Sequence, residues 1–180
     1  MKIKKFNLTA RYREVYLSLK QQGVNITPEI ETLVQIYDKQ ISSLIVPSVI
    51  FETYDIKDFS QLKEDIEVPK NVSKITFIVS TLGSDIEQLE KEENDDIKKK
   101  VVSALLVEYL DSSLRFVYKI LQEQTEDDFE LSSIFVFPKK CFDKVFSFVE
   151  PKKIGVCFEN EVFTPKYTSV NYLFWYSKKK

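Results

Sequence analysis

The chain has no histidine at all, and only two cysteines, three glycines and one tryptophan. Without histidine it lacks the commonest general base, the usual partner of a Ser or Cys nucleophile and the commonest metal ligand. Hydrolytic and zinc-dependent chemistry are therefore poor readings. An independent small-molecule enzyme would have to run on carboxylates or lysines, yet the Asp and Glu clusters fall in hydrophilic runs, Glu90 to Asp96 and Glu126 to Asp128, that read as exposed loops. Cys141 and Cys157 are too few and too far apart for a disulfide framework or a Cys-rich metal site, and they read as buried thiols. No apolar run approaches the roughly 20 residues that span a bilayer. The N-terminus lacks the apolar core of a signal peptide, so the expectation is a cytoplasmic protein.

Charge of one sign is missing too. Lys and Arg number 26 against 28 Asp and Glu, a net charge of -2 that offers no general attraction to nucleic acid or to a membrane surface. The lysines near the start and the closing Lys178 to Lys180 read as solvated ends. What remains is an ordinary globular balance, 43% hydrophobic and 30% charged over 180 residues. That length suits one domain, 1–180, with a substantial core.

Periodicity supplies the elements. Residues 9–22 read as a helix capped by Thr9, with Tyr12, Val15, Tyr16 and Leu19 on one side and Gly23 at its end. A second helix starts from Thr27 as cap with Pro28 in its first position, and its stripe runs Ile30, Leu33, Val34, Tyr37, Ile41, Leu44. Residues 46–56 read as a strand with Val49, Phe51 and Tyr54 to one side. A polar stretch, 57–73, has a short helix near Leu62 and a break at Pro69. Residues 74–80 form the clearest strand, with Ile75, Phe77 and Val79 on the side expected to be covered.

Thr81-Leu82-Gly83 then turns the chain, and Ser84 with Glu87 reads as a capping box. A bare helix start there would hold an anion, but the capping reading is preferred. A long central helix follows Asn94, carrying Ile97, Val101, Val102, Leu105, Tyr109, Phe116, Val117 and Ile120, with Asp95 and Asp96 suited to its dipole. An acidic loop at 124–130, a strand at 131–138, a short helix at 140–149 and two strands across 154–176 complete the chain.

The three glycines and the residues around them stand in a specific order. Leu19 to Gly23 precedes Thr27-Pro28-Glu29; Ile75 to Gly83 ends Ser-Thr-Leu-Gly; Ala104 to Leu110 contains Val107-Glu108-Tyr109-Leu110; Ile154-Gly155-Val156 and Ser169-Val170 lead into Phe174 and Trp175. This order resembles the activation domain of cobalamin-dependent methionine synthase, over nearly the whole chain. The resemblance implies an α+β fold, a twisted antiparallel sheet with several helices packed around it. It also implies a role: binding S-adenosylmethionine and docking over a cobalamin domain to support reductive remethylation of the oxidised cofactor.

In that reading the cobalamin belongs to a partner chain, a methionine synthase lacking its own activation domain, and the electrons come from a flavodoxin-type reductant. Binding and positioning are this chain's share. Phe174 and Trp175 match the family's aromatic pair and would meet the ligand or its sulfonium, or one of them simply faces the core as strand alternation requires. Glu108 matches a helical glutamate of the family, with a salt-bridged carboxylate as its alternative role.

The resemblance fails at one place. Where the family carries an Arg followed by Pro-Gly-Tyr, this chain reads Leu-Ser-Ser-Ile-Phe-Val-Phe-Pro-Lys-Lys at 131–140. The bidentate carboxylate clamp of Arg is absent there, and Lys139 or Lys140 would substitute as a point charge. Pro165 also lies one residue farther from Ser-Val than in the synthase. The alternative reading is an interaction module that kept the fold and lost the ligand.

Overall fold

The computed structural model describes residues 1–58 and 66–178. Its centre is an antiparallel sheet built from β1 (Lys2–Lys4), β2 (Ser48–Asp55), β3 (Val72–Thr81), β4 (Phe129–Leu131), β5 (Phe135–Val136) and β8 (Thr168–Ser177). The order across the sheet is β1-β2-β3-β8-β4, with β5 also pairing β8. Strands β6 (Cys157–Glu159) and β7 (Val162–Thr164) form a separate hairpin. Its two turn residues, Asn160 and Glu161, both take positive φ, the geometry that lets a two-residue turn match strand twist.

Helix α1 (Tyr12–Gln21), α2 (Pro28–Leu44), α3 (Ile86–Glu92), α4 (Asp96–Glu123) and α5 (Phe142–Phe148) surround the sheet. The long α4 crosses one face, where Val117 and Leu121 pack on Val49, Phe51, Ile78, Leu173 and Trp175. The first half of α4 carries Val101, Val102, Leu105 and Tyr109 against α1 and α2. On the other face, Ile75, Phe77, Val79, Val170 and Phe174 meet Phe142 and Val145 of α5 and Ile154. The fold is α+β, as expected.

Local signals account for the helices that match expectation. Thr27 accepts from the Ile30 N–H at 3.5 Å with Pro28 opening α2. Asp95 accepts from the N–H groups of Ile97 and Lys98, each at 2.9 Å, and begins α4. The stretch near Leu62 lies outside the described residues.

Several expectations are corrected. Thr9 does not cap α1: its carbonyl accepts from Ser112 Oγ at 3.0 Å, and the helix begins after Arg11, whose N–H is held by Glu108. The Ser84 and Glu87 capping box does not form, because Glu87 Oε1 accepts instead from the Lys166 backbone N–H at 2.9 Å. The start also forms an edge strand, β1, paired with β2, while Lys2, Lys4 and Lys5 stay exposed as expected. Tyr54 lies on the face opposite Val49 and Phe51, as alternation demands of an odd spacing.

The sheet is covered on both faces, not mainly one, because polar residues of β3 on the α4 side find partners. Thr76 shares a 2.7 Å hydrogen bond with Thr53, and Ser80 bonds Ser113 of α4. The strand expected over 131–138 is broken into β4 and β5 at Ser132, which both donates its N–H to the Phe174 carbonyl and accepts the Phe174 N–H on its hydroxyl, each at 2.9 Å. Phe129 and Glu130, expected in a loop, belong to β4. The two closing strands are three. Cys157, expected to be buried, is exposed on the hairpin, whereas Cys141 is buried.

Candidate functional site

Strand β8 carries Phe174 and Trp175 on opposite faces of the sheet, and both are buried. Phe174 points to the α5 side, where its ring lies 6.2 Å from Phe135 and 5.3 Å from Tyr172. It is core. Trp175 points to the α4 side, and its indole Nε1 donates to Thr76 Oγ1 at 2.7 Å.

The Trp175 ring forms one wall of a cavity of about 300 Å³ near the end of α4, with Phe129, Lys74, Glu52, Gln124 and Glu126 also on its lining. That volume is at the lower end of the ~300–1,000 Å³ range of small-molecule sites. Phe129 stands edge-on to Trp175, with ring centroids 6.2 Å apart at 80°. The Lys74 ammonium lies 4.7 Å from the centre of the Phe129 ring and 5.9 Å from that of Trp175. Register explains the meeting. Lys74 and Leu131 both lie opposite Trp175 across the sheet, and Phe129 is two residues before Leu131 on the same face. Glu52 is already paired with the Met1 ammonium at 3.0 Å, which leaves Glu126 beside the aromatic faces to suit a cation, and Lys74 adds a point charge suited to a carboxylate.

The comparisons with known proteins bear on this geometry. No protein-family model matches the sequence, and no curated protein matches it. Among solved structures, the chain is similar to the MetH reactivation domain bound to AdoHcy, with a TM-score of 0.61 and 11% identity over 100% of this chain and 79% of that one. The chain has the fold of a MetH reactivation domain.

Within this reactivation-domain fold, the residues singled out in the sequence do not converge on one place. Trp175 lines the cavity; Phe174 does not. Lys139 and Lys140 are exposed on the short 3-10 turn that leads into α5, and neither lines the Trp175 cavity. Glu108 sits in α4 with 3% exposure, and its Oε1 accepts from the Arg11 backbone N–H at 3.1 Å, from Arg11 Nε at 3.1 Å and from Arg115 Nη2 at 2.5 Å. That hydrogen bond raises the Arg11 pKa above its ordinary value. Neighbouring Asp111 is raised by burial, and further by the charge of Glu108, despite both arginines.

Sequence reasoning missed Lys74, Phe129, Glu52 and Glu126. Lys74 and Phe129 belong to separate strands and meet only through their common pairing with β8. An alternating pattern gives no sign of which two strands will flank a third.

Proposed function

We propose that this chain is an activation module for a cobalamin-dependent methionine synthase that lacks this domain, working in trans and in the same cytoplasmic compartment. Its share of the work is to hold S-adenosylmethionine and present it, while the cobalamin resides in the synthase and electrons arrive from a flavodoxin-type donor. The observation that carries the reading is the likeness to the MetH reactivation domain over the full length of this chain. Among the described residues no group of His, Cys, Asp and Glu is placed to hold a metal ion. No described helix is long and apolar enough to cross a membrane.

The Trp175 cavity fits the ligand's charge pattern. Trp175 and Phe129 would face the sulfonium, Glu126 would balance its positive charge while Glu52 stays paired with the Met1 ammonium, and Lys74 would take the carboxylate in place of the absent Arg clamp. Lys74 must then leave the ring faces, which makes the site weaker than one with a dedicated Arg. Bound here, the ligand supplies a methyl group for transfer, and these side chains orient it and exclude water.

A second reading has its own observation. Glu108 Oε1 is already committed to Arg11 and Arg115, and Phe174 is buried in the core away from the Trp175 cavity, so neither matched residue is placed to meet a ligand there. The chain would then be a docking module that kept the fold and lost S-adenosylmethionine. Calorimetric titration with S-adenosylmethionine decides between them. Saturable binding, weakened in Trp175→Phe and Lys74→Gln, supports the first reading, and silence into the millimolar range supports the second.

A further inference from the structure

The end of the central sheet carries a row of polar side chains in register. Lys4 of β1 lies opposite Ser48 of β2, Ser48 opposite Thr81 of β3, and Thr81 opposite Thr168 of β8. Paired residues share a face, so the row is continuous, and the next row inward on that face includes the apolar Ile50, Val79 and Val170. Over the polar row lies a cavity of about 390 Å³, which Lys4, Lys5, Ser48, Thr81, Ser84 and Asp85 line on its polar side.

Three of the sequence landmarks also reach this cavity. Gly83 of the Thr-Leu-Gly turn, Gly155 of the Ile-Gly-Val segment and Pro165 complete its wall. Both glycines hold positive φ, and a Cβ on Gly83 would come within 3.3 Å of Val46 Cβ. The chain therefore turns tightly beside the cavity at two points where side chains are withheld.

The lining leaves hydrogen-bond donors open to the cavity. Ser48 has 5% exposure, yet its hydroxyl makes no hydrogen bond among the described residues. That hydroxyl is not sealed in the interior but opens on the cavity, so a molecule held there can take its hydrogen bond. Thr81 is buried at 1% exposure; its Oγ1 accepts from the Gly83 N–H at 3.2 Å and keeps its proton to give. Thr168 Oγ1 donates to the Pro165 carbonyl at 2.8 Å and is satisfied. Lys4 and Lys5 form no ion pair among the described residues. The single carboxylate on the lining, Asp85, accepts from the Ser84 hydroxyl at 3.3 Å.

We propose that this cavity is a binding site for a phosphate group carried by a small molecule, separate from the Trp175 cavity. Two lysine ammonium groups and the hydroxyls of Ser48 and Thr81 offer donors of the number and charge that a phosphate dianion accepts, more than a single carboxylate uses. The volume exceeds a bare phosphate and lies in the range of metabolite-sized ligands. This site stands on its own residues and does not depend on the S-adenosylmethionine reading.

The test is titration of the full chain with inorganic phosphate, followed by calorimetry and by amide chemical shifts. Saturable binding is expected, with shifts at Ser48, Thr81, Gly83 and Gly155; sulfate should compete and acetate should not. Ser48→Ala should weaken phosphate about tenfold, the loss of one hydrogen bond to a charged group. Lys4→Gln with Lys5→Gln should abolish it, whereas Lys39→Gln with Lys119→Gln, an equal charge change elsewhere, should leave it intact. Silence into the millimolar range, or an equal loss in the control pair, overturns the proposal. A cavity that binds acetate as well as phosphate overturns the phosphate assignment.

Discussion

The indole Nε1 of Trp175 donates to Thr76 Oγ1 at 2.7 Å, so the ring that walls the candidate cavity is locked by a residue of the neighbouring strand. Thr76 is fully buried and also shares its hydroxyl with Thr53 at 2.7 Å. Thr76→Val keeps the shape and removes the acceptor. It should cost about 1–3 kcal/mol, the penalty for leaving a buried donor unmade. Denaturant unfolding measures the loss, and Trp175, the one tryptophan of the chain, reports the changed environment by fluorescence.

Glu108 ties the start of α1 to α4 through Arg11 and Arg115. Glu108→Gln should destabilise the fold by about 2 kcal/mol, because the arginine ends reach solvent and recover part of what they lose. Titration with S-adenosylmethionine should be unchanged in this variant at a temperature where it is folded. A loss of binding without a loss of stability would move Glu108 into the ligand site.

Gly83 and Gly155 hold φ of +88° and +77°. Gly155→Ala has open space around the new methyl and should cost about 1 kcal/mol for the left-handed backbone alone. Gly83→Ala meets the same strain and, in addition, the Val46 Cβ at 3.3 Å and its carbonyl oxygen at 3.4 Å. Its thermal midpoint should fall further than that of Gly155→Ala.

Asp38 accepts from Tyr12 at 2.8 Å and from Tyr109 at 2.7 Å, joining α1 and α4 to α2. Burial, then the Asp38 hydrogen bond, pushes Tyr12 up to about 12 and raises Tyr109 as well. An unfolded tyrosine ionises near pH ~10. Above that pH the folded chain holds protons that the unfolded chain has released, so stability falls as pH rises from about 10 towards the folded values. Tyrosinate absorbance should therefore lag that of free tyrosine and appear together with unfolding. Asp38→Asn should let Tyr12 and Tyr109 ionise at lower pH.

The parts of the fold that rest on short-range chemistry were legible. Thr27 with Pro28 marks the start of α2, the start of α4 falls just after Asn94 as expected although Asp95 caps the helix rather than sitting in its first turn, and the alternation of Ile75, Phe77 and Val79 marks β3. The order of the motifs also pointed to the observed α+β fold. What could not be read depended on partners far along the chain. β1 is a strand only because β2 offers it an edge, and Glu87 leaves its own helix because the Lys166 N–H lies within reach.

The candidate site was legible in one residue. Trp175 was identified, but which of Phe174 and Trp175 faces a cavity depends on the parity of β8 against β3, and a strand reads the same with either face inward. Lys74 and Phe129 join Trp175 only through the pairing of β3 and β4 with β8. Lys139 and Lys140, chosen because they occupy the place of the missing Arg, lie on a turn whose side chains do not line that cavity.

The central claim is activation in trans. Its most direct measurement adds the purified chain to a cobalamin-dependent methionine synthase lacking its own activation domain, with S-adenosylmethionine and a reduced flavodoxin, and follows the return of the inactive cofactor to turnover. The account predicts recovery that saturates with chain concentration and is lost in Trp175→Phe with Lys74→Gln. No recovery at any concentration of the folded chain would contradict it.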